Sequence, residues 1–125
     1  AQQHSFNVPF QLGVLNSEEL NSPADAQAYK VPLEEGSSAI VLCATDGLFD
    51  ALFPIEILQL VHDGLHSGED AQALSARLAD TALELSRDAQ RLSPAFLALA
   101  QQDLVARSRE AQDDVTVVIG VIGEP

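Results

Sequence analysis

Ser38-Ala39-Ile40-Val41-Leu42-Cys43-Ala44-Thr45-Asp46-Gly47-Leu48-Phe49-Asp50 is the stretch on which the fold turns. From Ser38 to Thr45 it is small or apolar with no polar alternation, the pattern of a central strand covered on both faces. Asp46-Gly47 ends that strand. Val115-Thr116-Val117-Val118-Ile119-Gly120-Val121-Ile122, β-branched at nearly every position, predicts a second strand that Asp113-Asp114 precedes. If the two strands are antiparallel neighbours, the carboxyl end of the first lies beside the amino end of the second. Asp46, Asp113 and Asp114 would then gather at one rim.

The residues between these strands read as helices. Pro54 suits a first helical turn and predicts a helix to about Gly64, with Ile55, Leu58, Val61 and Leu65 on one side as core or interface surface. Ser67-Gly68-Glu69-Asp70 resembles a second helix start, with a hydroxyl cap, followed by the apolar stripe Ala71, Leu74, Leu78, Ala82 and Leu85. Ser93-Pro94 opens a third, with Phe96, Leu99, Ala100, Leu104 and Arg107 along one side. Upstream, Phe6, Val8, Phe10, Leu12 and Val14 alternate around Pro9 as an edge strand or extended arm. A polar loop over 16–25, a short strand Gln27 to Leu33 with Tyr29 and Val31 on one face, and a turn at Glu34-Glu35-Gly36 complete the order. Strands, a helical excursion and a final strand predict an α+β fold with helices packed on the sheet.

Composition narrows the function classes. The chain has 125 residues, 46% of them hydrophobic, and carries 19 acidic against 6 basic residues for a formal charge of -13. That suits one ordered domain or part of one. It disfavours nucleic acid and anionic membrane surfaces as partners, since both are bound through clustered Lys and Arg. No apolar run approaches the roughly 20 residues of a membrane span. Ala1-Gln2-Gln3-His4 is not a signal peptide, and the absence of methionine suggests a processed chain or a piece of a longer one. The lone Cys43 excludes an internal disulfide, and its apolar surroundings predict a buried, inert thiol.

Carboxylates gathered at one rim repel one another unless they share protons or bind a cation. A hard divalent ion, Mg²⁺ or Mn²⁺, matches oxygen donors. Each acid also has an ordinary reading: Asp46 as a turn residue, Asp113-Asp114 as a solvated corner, Asp50 as the cap of the following helix. His62 and His66 have the i, i+4 spacing that can clasp zinc, but no third ligand lies near in sequence, and they read as surface residues. Glu69, Asp70, Asp80, Glu84 and Asp88 read as a solvated helical face.

Ala44-Thr45-Asp46-Gly47-Leu48-Phe49-Asp50 after an apolar strand, with Asp113-Asp114-Val115-Thr116-Val117 opening the last one, resembles the metal-dependent Ser/Thr protein phosphatases of the PPM (type 2C) family. Gln2 to Leu12 resembles the mitochondrial and plastid branch, and the likeness continues through Leu92-Ser93-Pro94-Ala95-Phe96. The resemblance implies a sandwich of antiparallel sheets flanked by helices, of which residues 1–125 form the carboxy-terminal portion. It implies hydrolysis of phosphoserine and phosphothreonine in phosphoprotein substrates by a water activated between two Mn²⁺ or Mg²⁺ ions. Asp46 and Asp113 would ligate the second metal, and Asp50 would help hold a third ion. Asp114 would support the ligands from behind, and Gly47 would let the backbone turn beside the ion. Mitochondrion or plastid is the implied compartment.

The sequence departs from the family in three places. The acidic residue, the glycine-rich Asp-Gly motif and the basic phosphate-binding side chain of the family's earlier half do not occur before Asp46. Ala51 stands where Asn is usual, and Arg109-Glu110-Ala111-Gln112 replaces a Gly-Lys-Pro-like turn. The chain is therefore expected to hold part of a site, to bind metal weakly and not to turn over substrate alone. A non-catalytic interaction or regulatory module on the same fold is the alternative.

Overall fold

The computed structural model describes residues 3–5, 8–9, 22–88, 90–101 and 113–123. They fall into two compact units, Ala1–Pro32 and Leu33–Pro125. In the first, strands β1 (Gln3–Ser5) and β2 (Val8–Pro9) pair antiparallel, with an irregular register between Gln3 and Ser5. The expected arm thus contains two short paired strands, Pro9 closing the second; residues 10–21 lie outside the described residues. A single 3-10 turn, Pro23–Asp25, follows. The Ser22 hydroxyl accepts from the Ala24 amide, and the Asp25 carboxylate accepts from the Ser22 amide at 2.8 Å.

The segment expected as a strand over Gln27 to Leu33 is not one. It has no ladder partner among the described residues, and Tyr29 and Val31 are 79% and 78% exposed. Two apolar residues on one face do not by themselves make a strand, which needs cross-strand packing and pairing.

The second unit is a two-stranded antiparallel sheet with helices against one face. Strand β3 (Ser38–Ala44) leads into helices α1 (Asp46–Ala51), α2 (Pro54–His66), α3 (Ala71–Ser86) and α4 (Pro94–Gln101), and β4 (Val117–Gly123) closes the order. The two strands run antiparallel in unbroken register from Ser38↔Gly123 to Ala44↔Val117. The expected pairing is therefore the observed one, within an α+β fold.

Alternation along β3 corrects the expectation of burial on both faces. Leu42 and Ala44 pack toward the helices with Val117 and Ile119 opposite them, while Val41, Cys43 and Val118 face outward. Cys43 is consequently exposed, not a buried thiol. An all-apolar strand is indifferent to which face is covered, so its sequence could not reveal the open side.

The core lies where α1 meets α3: Leu48, Ala51 and Leu52 enclose a cluster with Leu78 and Ala82. Residues 46–51 form a helix of their own, so Asp46 opens α1 in place of a turn. Helix α2 starts at Pro54 as expected, and of the stripe noted in the sequence only Val61 packs inward. Ile57, Leu60 and Val61 pack on the core, while Ile55, Leu58 and Leu65 are 69%, 64% and 48% exposed. Asp50 does not cap α2. The Phe53 amide donates to Glu56 Oε2 at 2.8 Å, and that carboxylate also receives the Arg91 guanidinium. Asp70 rather than Ser67 caps α3, accepting from the Ala73 amide, whereas Ser67 donates back to the Asp63 carbonyl and ends α2. Ser93 caps α4 as expected, its hydroxyl accepting from the Phe96 amide at 3.1 Å. Leu104 and Arg107 lie outside the described residues. No helix among the described residues is long and apolar enough to cross a membrane.

Candidate metal centre

Two chain corners meet at one end of the β3–β4 ladder. Helix α1 starts one residue after β3, so Asp46 occupies its first turn and Asp50 follows a turn later on the same side. An acid in that first turn is favoured by the helix dipole. Asp113 and Asp114 lead into β4 from across the ladder.

The corners are joined by backbone groups around Thr45. Its amide donates to the Thr116 carbonyl at 3.0 Å and its hydroxyl donates to the Asp114 carbonyl at 2.8 Å. That hydroxyl also accepts from the Thr116 amide at 2.9 Å. Gly47 is buried against the same loop: a Cβ there would lie 2.6 Å from the Asp114 carbonyl oxygen and 3.1 Å from a Val115 methyl. Gly47 lies inside α1 and has no positive φ. It is therefore needed for close approach, where a sharp turn was expected. The Asp114 amide donates to Asp113 Oδ1 at 3.0 Å, fixing one carboxylate oxygen.

This arrangement has an electrostatic consequence at Asp50. Partial desolvation, and then the negative charges of Asp46 and Asp113, hold its carboxyl above the usual carboxylate range. Asp50 thus senses both corners, although it remains open to solvent as a residue. Among the described residues no three acidic, imidazole or thiol groups already close into a metal cage. The donor set is all oxygen and anionic, which fits a hard divalent cation, and it fits as part of a coordination sphere.

His62 and His66 stack at 4.9 Å between ring centroids, and His62 Nδ1 lies 3.4 Å from Asp63 Oδ1. The His62 side chain is 64% exposed and belongs to no metal-holding group among the described residues. Residues 109–112, the departure before Asp113, lie outside the described residues. Sequence reasoning missed Thr45, whose partners are 69 and 71 positions away. It also missed Arg91, which donates to the Ala51 carbonyl at the end of α1 at 3.2 Å and to Glu56 at 2.7 Å. No local pattern marks either role.

The sequence profile described as Protein phosphatase 2C matches residues 15–91. The chain belongs to the protein phosphatase 2C family. Similar curated relatives include Putative protein phosphatase 2C 24 of Oryza sativa subsp. japonica, 35% identical over 122 residues, covering 98% of the chain and 37% of that protein. Protein phosphatase PTC7 homolog of Homo sapiens is 34% identical over 131 residues, covering 98% and 41%. Probable protein phosphatase 2C 80 of Arabidopsis thaliana is 29% identical over 121 residues, covering 97% and 28%. This phosphatase 2C chain thus spans 28–41% of the length of these three relatives. No solved structure matches it. The profile match covers Asp46 and Asp50, and the relatives' alignments run along nearly the whole chain.

Proposed function

We propose that residues 1–125 are the carboxy-terminal portion of a protein phosphatase 2C domain and contribute part of its Mn²⁺ or Mg²⁺ centre. Asp46 and Asp113 are the ligands, and Asp50 helps hold a further ion. Asp114 backs them through its carbonyl and amide, and Gly47 admits that loop against α1. The reading extends to phosphoserine and phosphothreonine in phosphoproteins as substrates, and to the organellar branch of the family. The observation that carries it is the convergence of the Asp46–Asp50 turn with Asp113 from across the β3–β4 ladder, felt as a raised Asp50 pKa.

When bound, the divalent ions would neutralise phosphoryl charge and activate water for in-line attack on phosphorus. The chain's own groups prepare the place. Like charges held together by the Thr45 hydrogen bonds are a standing repulsion that a cation relieves. The Asp114 amide orients the Asp113 carboxylate so that its free oxygen lone pairs remain available. Cys43 takes no part in this reading: it lies on the outward, exposed side of β3.

Complementation tests the assignment. The chain alone should not hydrolyse a phosphoserine peptide in Mn²⁺, and mixing it with the amino-terminal part of the rice relative should restore turnover. Asp46→Asn or Asp113→Asn should lower that turnover on the order of 100-fold. Robust hydrolysis by the chain alone would refute the partial-site reading. Activity that survives both substitutions would refute the ligand assignment, and a mixture that binds phosphopeptide without turnover would favour the non-catalytic module.

A further inference from the structure

A threonine ahead of a helix ordinarily caps it, accepting from an amide in the first turn. Thr45 occupies that position before α1 and makes no such bond. Its hydroxyl is committed instead to the opposite corner, donating to the Asp114 carbonyl at 2.8 Å and accepting from the Thr116 amide at 2.9 Å. With the Thr45 amide bonded to the Thr116 carbonyl at 3.0 Å, one residue closes three hydrogen bonds across the ladder end. Asp46 is its covalent neighbour on one side of this bolt, and Asp113 precedes Asp114 on the other. Gly47 presses the same Asp114 carbonyl, leaving room for no side chain.

A side chain that forgoes its local cap to tie together two mutually repelling loops is best explained by the separation it maintains. We infer that Thr45 is a positioning residue, whose hydroxyl sets the distance between the Asp46 and Asp113 carboxylates and so the cation affinity of the rim. The inference rests on the metal-ligand reading proposed above for those two acids. Valine at this position keeps the branched shape and loses both hydroxyl bonds, leaving the Asp114 carbonyl and Thr116 amide to solvent. Serine keeps both bonds and loses only a methyl.

Two readouts on the full 125-residue chain test it. In metal-free protein, Thr45→Val should speed hydrogen exchange at the Thr116 amide at least about tenfold while amides of α3 at Leu78 and Ala82 stay within about twofold. Thr45→Ser should exchange like the parent chain at all three. In Mn²⁺ titrations followed by electron paramagnetic resonance, Thr45→Val should weaken binding roughly 10- to 100-fold, the usual cost of removing a group that orients a ligand, and Thr45→Ser no more than about threefold. In an Asp113→Asn background, Thr45→Val should weaken residual binding no further, because the ligand it positions is gone. Unchanged exchange at Thr116 would overturn the bolt. So would equal acceleration throughout α3, which marks general loosening, or a Thr45→Val effect on Mn²⁺ that persists undiminished in Asp113→Asn. If the parent chain and its Asp46→Asn and Asp113→Asn variants all titrate alike, the ligand reading fails and takes the role of Thr45 in affinity with it, and the exchange arm still decides the bolt.

Discussion

A methyl group added at Gly47 would meet the Asp114 carbonyl oxygen at 2.6 Å, closer than real contacts allow, and that atom is backbone with nowhere easy to go. Gly47→Ala is therefore expected to push the Asp113–Asp114 corner away from α1. It should cost about 1–3 kcal/mol in urea unfolding, as overpacking does elsewhere, and should weaken Mn²⁺ binding in the same preparation. A Gly47→Ala chain with parent stability would contradict the close approach. Glu56 is the second residue whose setting has a measurable sign. The Arg91 guanidinium, followed by the Phe53 amide, holds its carboxyl below the ordinary glutamate value of 4.5. A depressed pKa contributes stability that is present in full above that value and is lost as pH falls through the folded one. Glu56→Gln should thus unfold about 1 kcal/mol more easily at pH 7, allowing for the partial exposure of the pair. The gap should close in denaturation curves taken below pH 4.5, and a gap constant across that range would exclude the ion pair as its cause. The aspartates were singled out by the resemblance of the motifs that hold them, since each alone also reads as a turn, corner or cap residue. Thr45, Arg91 and the cap on α2 were not, since each depends on a partner that only the folded chain brings near or on a choice among adjacent polar residues.

At the scale of elements, α2 shows how periodicity can find a helix without finding the face that is buried. Pro54-Ile55-Glu56-Ile57-Leu58-Gln59-Leu60-Val61 carries apolar residues on more than one side, so two stripes satisfy helical spacing. Packing selects Ile57, Leu60 and Val61 for the core and leaves Leu58 exposed. Leu60→Ala is expected to cost about 1–3 kcal/mol, somewhat below the range for a fully buried leucine. Leu58→Ser should stay within about 0.5 kcal/mol of the parent in the same unfolding assay. The reverse ranking would place the wrong side of α2 inward. Strands β3 and β4 were legible from an apolar run and a β-branched one, and the antiparallel pairing supposed for them is the observed one. The open face of β3 was not, since Val41 and Cys43 are as apolar as Leu42 and Ala44. Gln27 to Leu33 failed as a strand for the complementary reason: its residues suit a strand, and no neighbour among the described residues pairs with it.

Over the whole molecule, charge and core are in tension. A formal charge of -13 on 125 residues opposes compaction, and the fully buried large side chains are only Leu48, Leu52, Leu74 and Leu78 among the described residues. Any cation screens such repulsion, so a metal site must be separated from general ionic strength. The family membership, the ladder that joins the two corners and the influence of Asp46 and Asp113 on Asp50 all bear on one claim, that divalent metal binds where these carboxylates meet. Its most direct measurement is the unfolding free energy of the chain with and without Mn²⁺ at constant ionic strength, beside an Asp46→Asn/Asp113→Asn double variant. Linkage predicts a gain of about 2.7 kcal/mol for the parent when Mn²⁺ is at a hundred times its dissociation constant, and no gain for the double variant. Equal stabilisation of both chains, or of neither, would contradict the account.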